Sequence, residues 1–171
     1  YRQISMEEYA TFLDDLIYHK RRRYAVTKVR DTLSRPNSDR HLRSLRQFNE
    51  DLSCSVLTLD TKFLAGSIGF KSRKVYHYYM PSFNHDFAVY SPSKVHLYFE
   101  TKYQLEENLV EHFDFTVGSE RYKQDWINSM EPIYSVSLPR TLKGLVLASL
   151  MRVRREIFSS QIVVRLKLLV R

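Results

Sequence analysis

The segment at residues 90–94, Tyr-Ser-Pro-Ser-Lys, has residue types that could bind an anion. Ser91 is a good N-cap and the proline after it suits the first position of a helix, so we predict that a helix begins here. The backbone N–H groups of Ser93, Lys94 and Val95 are expected to face outward at the positive end of the helix dipole, which favours anions. A first-turn lysine opposes that dipole by about 0.3–1 kcal/mol unless an anion pairs with it. We predict an anion site, with a capped helix and a solvated lysine as the alternative.

A second group of reactive side chains lies on a later predicted strand and on the turn after it. Alternation puts Asp114 on the opposite strand face from its phenylalanine neighbours. A buried carboxylate is costly unless it is paired, so we expect a hydrogen bond or a cation such as Lys123 to hold it. Glu120, Tyr122 and the single tryptophan, Trp126, lie close to it in the sequence. These residues alone leave structural anchoring and a catalytic role for Asp114 equally open.

The periodicity of apolar residues predicts the elements that position these two groups. Helical spacing extends to about residue 52 and then changes to β-branched and aromatic runs, separated by polar breaks that suit hairpins. The predicted order, α-α-β-β-β-α-β-α-β-α, is a mixed α/β layer fold. The helices are expected to start near Met6, to cover about 38–52, to follow Pro92 with Val95, Phe99, Leu105 and Leu109 inside, and to start near Leu142; the strands are expected at 55–59, 63–70, 74–80, 112–117 and 133–138.

The composition excludes several kinds of site. The 171 residues include only four glycines, none spaced for a dinucleotide-binding or P-loop motif. The single cysteine, Cys54, excludes an internal disulfide, and no Cys/His cluster has zinc spacing, so no metal is expected. No apolar run approaches the ~20 residues of a spanning helix, and no signal peptide is visible. We expect a reducing, cytoplasmic location and, because the chain begins at Tyr1, a piece of a longer protein.

The net charge of +8 is concentrated in the two flanks. Residues 140–171 hold eight Lys/Arg and one acid, whereas residues 51–139 hold eight Lys/Arg and eleven acids. A mildly acidic centre argues against a nucleic-acid surface. The basic run at 20–23 is interpreted as a solvated helix face. The basic helical tail over 140–171 is predicted to pack on the sheet; the alternative is that it rests on an anionic membrane surface, at the inner face of the membrane.

The two groups together carry a family resemblance over roughly residues 50–140. They resemble the acetyltransferase domain of the CelD/BcsL-like proteins, a family of the GNAT superfamily that is linked to exopolysaccharide and cellulose biosynthesis and is similar to the FemAB-like aminoacyl transferases. The resemblance implies one domain over 1–171 with a GNAT-like mixed sheet flanked by helices. Where the family usually has Gly in its Ser-Pro-Gly motif, this chain has Ser93. The residues that carry it are Tyr90-Ser91-Pro92-Ser93-Lys94 and Asp114-Phe115-x-x-Gly118-x-Glu120-x-Tyr122-Lys123-x-x-Trp126.

The resemblance also implies the chemistry, which is acyl transfer from acetyl-CoA or another acyl-CoA to an amine. His77 and Asp114 would accept the amine proton, directly or through water, and Tyr122 would protonate the departing thiolate. A backbone N–H of residues 76–80 would stabilise the oxyanion. Donor binding would fall to Ser91, Ser93, Lys94 and Val95, and acceptor binding to Glu120, Lys123 and Trp126.

Three functions follow as hypotheses. The first is an acyl-CoA-dependent N-acyltransferase that acts on an amino sugar or another small amine in polysaccharide biosynthesis. The second is a FemAB-like transferase that uses aminoacyl-tRNA. In that case the basic flanks would bind tRNA, and no other nucleic acid is expected as a partner. The third is a non-catalytic binding module with the same fold. A ferredoxin-like α+β binding domain is the alternative fold.

Overall fold

The computed structural model describes residues 1–107, 110–118, 120–134, 136 and 138–159. The chain forms two compact units, Tyr1–Asp125 and Trp126–Arg171. Within the described residues, the strands are β1 (Arg2–Gln3), β2 (Leu52–Leu59), β3 (Lys62–Ser72), β4 (Val75–Phe83) and β5 (His112–Asp114). The α-helices are α1 (Tyr9–Thr27), α2 (Ser38–Ser44), α3 (Pro92–Lys102) and α4 (Leu142–Ser159); shorter 3-10 helices cover Thr32–Ser34, Leu45–Phe48, His85–Tyr90 and Arg121–Asp125, and a π-helical turn covers Tyr103–Glu107.

The first unit is built on one mixed sheet with the strand order β1-β2-β3-β4-β5. Strands β1 to β4 pair antiparallel, and the β2–β3 and β3–β4 turns fall at the predicted polar breaks. Strand β5 pairs parallel with β4, with Val75 opposite His112 and His77 opposite Asp114. Parallel neighbours need a crossover connection, and α3 lies within it. The predicted mixed α/β fold, with a mixed sheet flanked by helices, is therefore confirmed.

One face of the sheet carries the apolar core. Alternate residues of β2 point to this face, and β3 and β4 contribute Ile68 and Met80. Helix α1 packs here because its apolar residues recur three and four positions apart, which places them on one side of the helix. Helix α2 adds Leu42. The core residues of β2 and α1 are Leu52, Cys54, Val56, Tyr9, Phe12, Leu13, Leu16 and Ile17.

A β-bulge in β4 changes which side chains reach each face. Ile68 lies opposite Met80, but the next residue, Gly69, lies opposite Tyr78, so Tyr79 is an extra residue on β4. Because alternation restarts after Tyr79, Met80 points to the apolar core while Tyr78 points to the other face. By the same alternation His77, which lies opposite the core-packed Phe70, is on the core side.

The other face of the sheet carries a buried polar layer beneath α3 and the π-helical turn. His96, Glu100 and Gln104 are spaced four residues apart and are fully buried. Ser55 donates a hydrogen bond to Glu100 and lies 2.9 Å from Nε2 of His96. The Gln104 amide donates to Glu100 at 2.8 Å and to Ser53 at 3.0 Å. Hydrogen bonds rather than apolar contacts therefore hold much of this face.

The predicted inner face of α3 is wrong. The sequence pattern predicts Val95, Phe99 and Leu105 inside, but their side chains are 41%, 40% and 39% exposed, respectively. Leu109 lies outside the described residues. Helix α3 turns its polar stripe inward because the sheet face that it covers presents serine hydroxyls instead of aliphatic groups.

The ends of the first two helices differ slightly from the prediction. Helix α1 begins at Tyr9 instead of Met6, after a turn over residues 6–8 that a reciprocal pair of hydrogen bonds between Ser5 and Glu8 closes, with the pattern of a capping box. Helix α2 ends at Ser44, and the chain continues as a 3-10 helix to Phe48 instead of remaining α-helical to residue 52.

The predicted strand at 133–138 is also wrong. Ile133, Tyr134, Val136 and Leu138 have no regular secondary structure, and residues 135 and 137 lie outside the described residues. In place of the helix predicted before it, the described residues contain only the 3-10 helix Arg121–Asp125. The tail helix does begin at Leu142, as predicted, but residues 160–171 of the tail lie outside the described residues. Its packing on the sheet stays a prediction.

Candidate active site

Strand β4 becomes an edge strand partway along its length. Its pairing with β5 ends where His77 lies opposite Asp114, whereas β4 continues to Phe83. The bulge at Tyr79 twists the strand immediately beyond the last pair. Within the described residues, the stretch 78–83, the open edge of β4, has no strand beside it on that side. The two strands are therefore neighbours, as predicted, while their separation toward the start of α3 stays a prediction. An unpaired edge can hydrogen-bond an extended ligand.

His77 and Asp114 meet at the point where the pairing of the two strands ends. Their side chains are 38% and 48% exposed, and Nδ1 of His77 lies 3.0 Å from Oδ2 of Asp114. The other carboxylate oxygen, Oδ1, accepts the backbone N–H of Thr116 at 2.7 Å, which orients the carboxylate. A carboxylate on Nδ1 fixes the ring and leaves Nε2 to accept a proton. The two residues that the sequence paired as a proton acceptor are thus in contact, and Asp114 is held by hydrogen bonds rather than by Lys123.

Glu120 and Lys123 form an ion pair in the turn after β5. The Lys123 side chain is only 8% exposed, and its Nζ lies 2.9 Å from Oε2 of Glu120. The same Nζ donates to the carbonyls of Thr116 and Val117, both at 3.5 Å. Gly118 allows this arrangement because its φ is +139° and a Cβ there would overlap the Glu120 carboxylate. The pair holds the turn in place, which supports a structural role for Lys123 beside any contact with substrate.

Tyr122 is half-buried, and burial, followed by the charge of Glu120, raises the pKa of its phenol. The phenol is therefore protonated at neutral pH and able to donate a proton. It also interacts electrostatically with Tyr78 on β4, so it lies near the strand that carries His77. Trp126 is the first residue of the second unit, and its predicted contact with substrate stays a prediction.

The N-terminus of α3 differs in part from the predicted anion site. Ser91 is the N-cap residue in a left-handed conformation, with φ of +51°, but its side chain makes no capping hydrogen bond. The N–H groups of Lys94 and Val95 both donate to the Ser91 carbonyl, at 2.9 and 3.3 Å, so these two are not free as predicted. Among the described residues, the Ser93 N–H has no acceptor. The donors left for an anion are therefore the Ser93 amide and hydroxyl and the exposed Lys94 ammonium.

Lys20, on α1, is a residue of this region that the sequence interpretation missed. Its Nζ donates to the Pro81 carbonyl of β4 at 2.7 Å, and burial, helped by Arg23, lowers the pKa of its ammonium to about 8. The basic run at 20–23 is thus not simply a solvated face. The signal was present in the spacing, because Lys20 falls three positions after the buried Ile17 and continues the inward stripe of α1.

Two further classes of site are absent from the residues that the structure describes. No helix there is both long enough and apolar enough to cross a bilayer. No group of three or more His, Cys, Asp or Glu side chains in the described ranges could hold a metal ion.

Comparison with known proteins gives a family and a set of structures of the same fold. The family model described as "Acetyltransferase (GNAT) domain" matches residues 3–124. No curated protein has a significant match to the chain.

Three solved structures illustrate the fold. An aminoglycoside acetyltransferase from an uncultured soil metagenomic sample, in complex with sisomicin, is 16% identical, with a TM-score of 0.55 over 82% of this chain and 95% of that one. A protein from Clostridium acetobutylicum described as a predicted acetyltransferase, with acetyl-CoA, is 8% identical, with a TM-score of 0.56 over 82% of this chain and 97% of that one. A ribosomal-protein-alanine N-acetyltransferase from Brucella melitensis is 12% identical, with a TM-score of 0.55 over 80% and 98%. At such identities the likeness shows the fold alone.

Proposed function

This chain belongs to the acetyltransferase (GNAT) domain family, and we propose that it is an N-acyltransferase that moves an acyl group from a coenzyme A thioester to an amine. The observation that carries the proposal is the contact between His77 and Asp114 at the start of the open edge of β4. A proton acceptor stands there beside unpaired backbone groups that an extended thioester could meet. A non-catalytic module would have no need of that pairing.

The His77–Asp114 pair supplies the base. An ammonium group must lose a proton before it can attack, and Nε2 of His77 takes that proton, directly or through a water molecule. The imidazolium so formed is stabilised by the Asp114 carboxylate on Nδ1. The amine nitrogen then forms the new C–N bond, and a backbone N–H between residues 76 and 80 stabilises the negative oxygen of the tetrahedral intermediate.

Tyr122 supplies the acid. As the C–S bond breaks, the phenol passes its proton to the thiolate of coenzyme A, and the phenolate recovers a proton from solvent. Its raised pKa keeps it in the proton-donating form at neutral pH. Three proton transfers balance the reaction: the ammonium loses one proton to His77, which passes it to solvent; the nitrogen of the tetrahedral adduct loses a second proton, again to His77, as the amide forms; and the thiolate gains one from Tyr122. One proton is released overall.

The start of α3 binds the phosphates of the donor in this proposal. Ser93 contributes its free amide N–H and its hydroxyl, and Lys94 contributes charge. Ser91 shapes the turn, while the amide of Val95 is already used within the helix. The serine at the position where the CelD/BcsL-like family usually has glycine offers a hydroxyl to the phosphate in place of a closer approach of the backbone.

We further propose a small-molecule amine or amino sugar as acceptor, contacted by Glu120 and Lys123, and a role in exopolysaccharide or cellulose biosynthesis. The acceptor class is supported by the aminoglycoside acetyltransferase of the same fold. The proposed pathway rests on the CelD/BcsL-like resemblance. The proposed cytoplasmic location at the inner face of the membrane, with the basic tail in contact with that membrane, rests on the charge of residues 140–171.

The test is release of free thiol from acetyl-CoA in the presence of glucosamine. We expect turnover by the wild type, and a loss of about 10²-fold or more in kcat for Asp114→Asn with coenzyme A binding retained. Glu111→Gln is the matched control, since it removes an exposed carboxylate from the same part of the chain. Turnover by Asp114→Asn equal to the wild type would assign Asp114 to structure. Transfer from an aminoacyl-tRNA but not from acetyl-CoA would favour the FemAB-like alternative, and binding of neither donor the non-catalytic one.

A further inference from the structure

Three cations and one carboxylate meet beside the open edge of β4. Lys20 donates to the Pro81 carbonyl, and the Arg23 guanidinium lies 5.6 Å from the centre of the Phe83 ring. The Glu120 carboxylate interacts electrostatically with both Lys20 and Arg23 and forms an ion pair with Lys123. Helix α1 and the turn after β5 thus bring their charges to the same stretch of β4. We call Lys20, Arg23, Lys123 and Glu120 the cationic cluster.

The charges of the cationic cluster do not balance. Glu120 is its single acid and is already paired with Lys123. Asp86, the next carboxylate along this side of α1, is held by both guanidinium nitrogens of Arg22 at 2.6 and 2.7 Å. Within the described residues, neither Lys20 nor Arg23 forms an ion pair, and the hydrogen bond of Lys20 goes to an uncharged carbonyl. Glu120 is therefore the one carboxylate of the cluster for three positive charges, and its ion pair is with Lys123.

That arrangement costs free energy in the absence of a ligand. A largely buried ammonium is disfavoured unless it is paired, and a neighbouring guanidinium disfavours it further. Both effects are visible in the lowered pKa of Lys20. An anion bound by Lys20 and Arg23 would offset both costs.

The cluster lies on the acceptor side of the proposed reaction. Helix α1 packs on the core face of the sheet, which is also the face of His77 and Asp114, whereas α3 packs on the opposite face. Pro81 follows His77 by four residues, so the two are at most about 13 Å apart along the strand. One small molecule can therefore reach both places, with an amine at His77 and an anionic group at Lys20 and Arg23.

From this geometry we infer that Lys20 and Arg23 bind a phosphate or carboxylate carried by the acyl acceptor, so that the substrate is an amine that also bears negative charge. The inference rests on the proposed N-acyltransferase function and narrows its acceptor class. It predicts that an amino sugar phosphate is a better acceptor than the unmodified amino sugar. A polycationic amine such as an aminoglycoside would be repelled by the same two residues, so the likeness in fold to the aminoglycoside acetyltransferase would not extend to that acceptor.

The test compares glucosamine with glucosamine 6-phosphate, which differ only in the anionic group. With acetyl-CoA, the wild type should show at least tenfold higher kcat/KM for the phosphate. Lys20→Met and Arg23→Gln should each remove most of that preference and leave kcat/KM for glucosamine within about twofold. Lys102→Met, which removes an exposed positive charge from the far end of α3, should keep the preference. Circular dichroism checks that each variant is folded.

The outcomes separate the inference from the proposed function. Equal kcat/KM for the two sugars would overturn the inference while the function holds. Weaker coenzyme A binding in Lys20→Met and Arg23→Gln, with both sugars affected equally, would assign the cations to the donor's phosphates and also overturn it. If neither sugar is acetylated, calorimetry with glucosamine 6-phosphate decides: binding that Lys20→Met weakens at least fivefold supports the inference, and no binding by the wild type refutes it.

Discussion

The carboxyl group of Glu100 should be among the most important polar groups for stability. It is fully buried and accepts hydrogen bonds from the Tyr1 hydroxyl at 2.8 Å, from the Gln104 amide at 2.8 Å and from the Ser55 hydroxyl. Glu100→Leu would leave the Tyr1 hydroxyl and one N–H of the Gln104 amide without an acceptor, and the Ser55 hydroxyl would have to turn to Nε2 of His96. A buried donor that loses its partner costs roughly 1–3 kcal/mol, so the free energy of unfolding should fall by about 3 kcal/mol or more.

Such a loss is large beside the ~5–15 kcal/mol by which domains are stable. For a chain of this size, about 3 kcal/mol lowers Tm by roughly 6–12 °C, which differential scanning calorimetry resolves. Glu100→Gln keeps one acceptor oxygen, so its Tm should fall clearly less than that of Glu100→Leu. Glu106→Leu is the matched control, because that carboxylate is exposed and lies 3.9 Å from Lys102. If the Tm of Glu100→Leu equals that of Glu106→Leu, the buried polar layer contributes little to stability and the reasoning is refuted.

Three further predictions concern single residues. Burial lowers the pKa of His96 from 6.5 to about 4, so between these pH values the unfolded chain binds a proton that the folded chain does not. The free energy of unfolding should therefore fall by up to about 3 kcal/mol as the pH drops from 6.5 to 4. In urea unfolding at several pH values, His96→Gln should show a weaker dependence of this free energy on pH. Gly69→Ala should destabilise the fold in the same assay, because the added Cβ would overlap the Tyr76 hydroxyl; an unchanged midpoint would contradict this. Lys94→Ala should weaken coenzyme A binding by about 1–3 kcal/mol in calorimetry, and an unchanged Kd would move the donor site elsewhere.

The sequence predicted the elements of the first unit better than their packing. Strands β2, β3 and β4 stand where β-branched and aromatic residues alternate, and the parallel partner of β4 was found at residues 112–117, although its pairing ends at Asp114. The inner face of α3 was not predictable from hydrophobicity. Burying His96 and Glu100 of α3 is favourable only because hydroxyl groups elsewhere in the fold, such as that of Ser55 on β2, form hydrogen bonds with their side chains. A periodic pattern of hydrophobic residues carries no information about such partners.

The candidate site shows the same division between local and long-range information. His77 and Asp114 were paired from the expected adjacency of their strands, a long-range inference that the register bears out. The spacing of α1 indicated that Lys20 faces inward, but its partner could not be predicted, because the contact with Pro81 joins positions that are remote in sequence. The strand expected at 133–138 failed for a related reason, since alternation predicts a strand only where a neighbour is present to pair with it.

The extra residue at Tyr79 has a consequence for protein engineering. Deleting it would remove the bulge without rephasing the strand, because consecutive residues of a regular strand point to opposite faces, as Tyr78 and Met80 already do on either side of it. A one-residue deletion at Tyr79 should therefore leave Met80 in the apolar core and Tyr78 in the serine-rich layer. Chimeras that exchange β4 with a bulge-free strand should be aligned with a one-residue gap at position 79, because without that gap the side chains on one side of it would face the wrong layer.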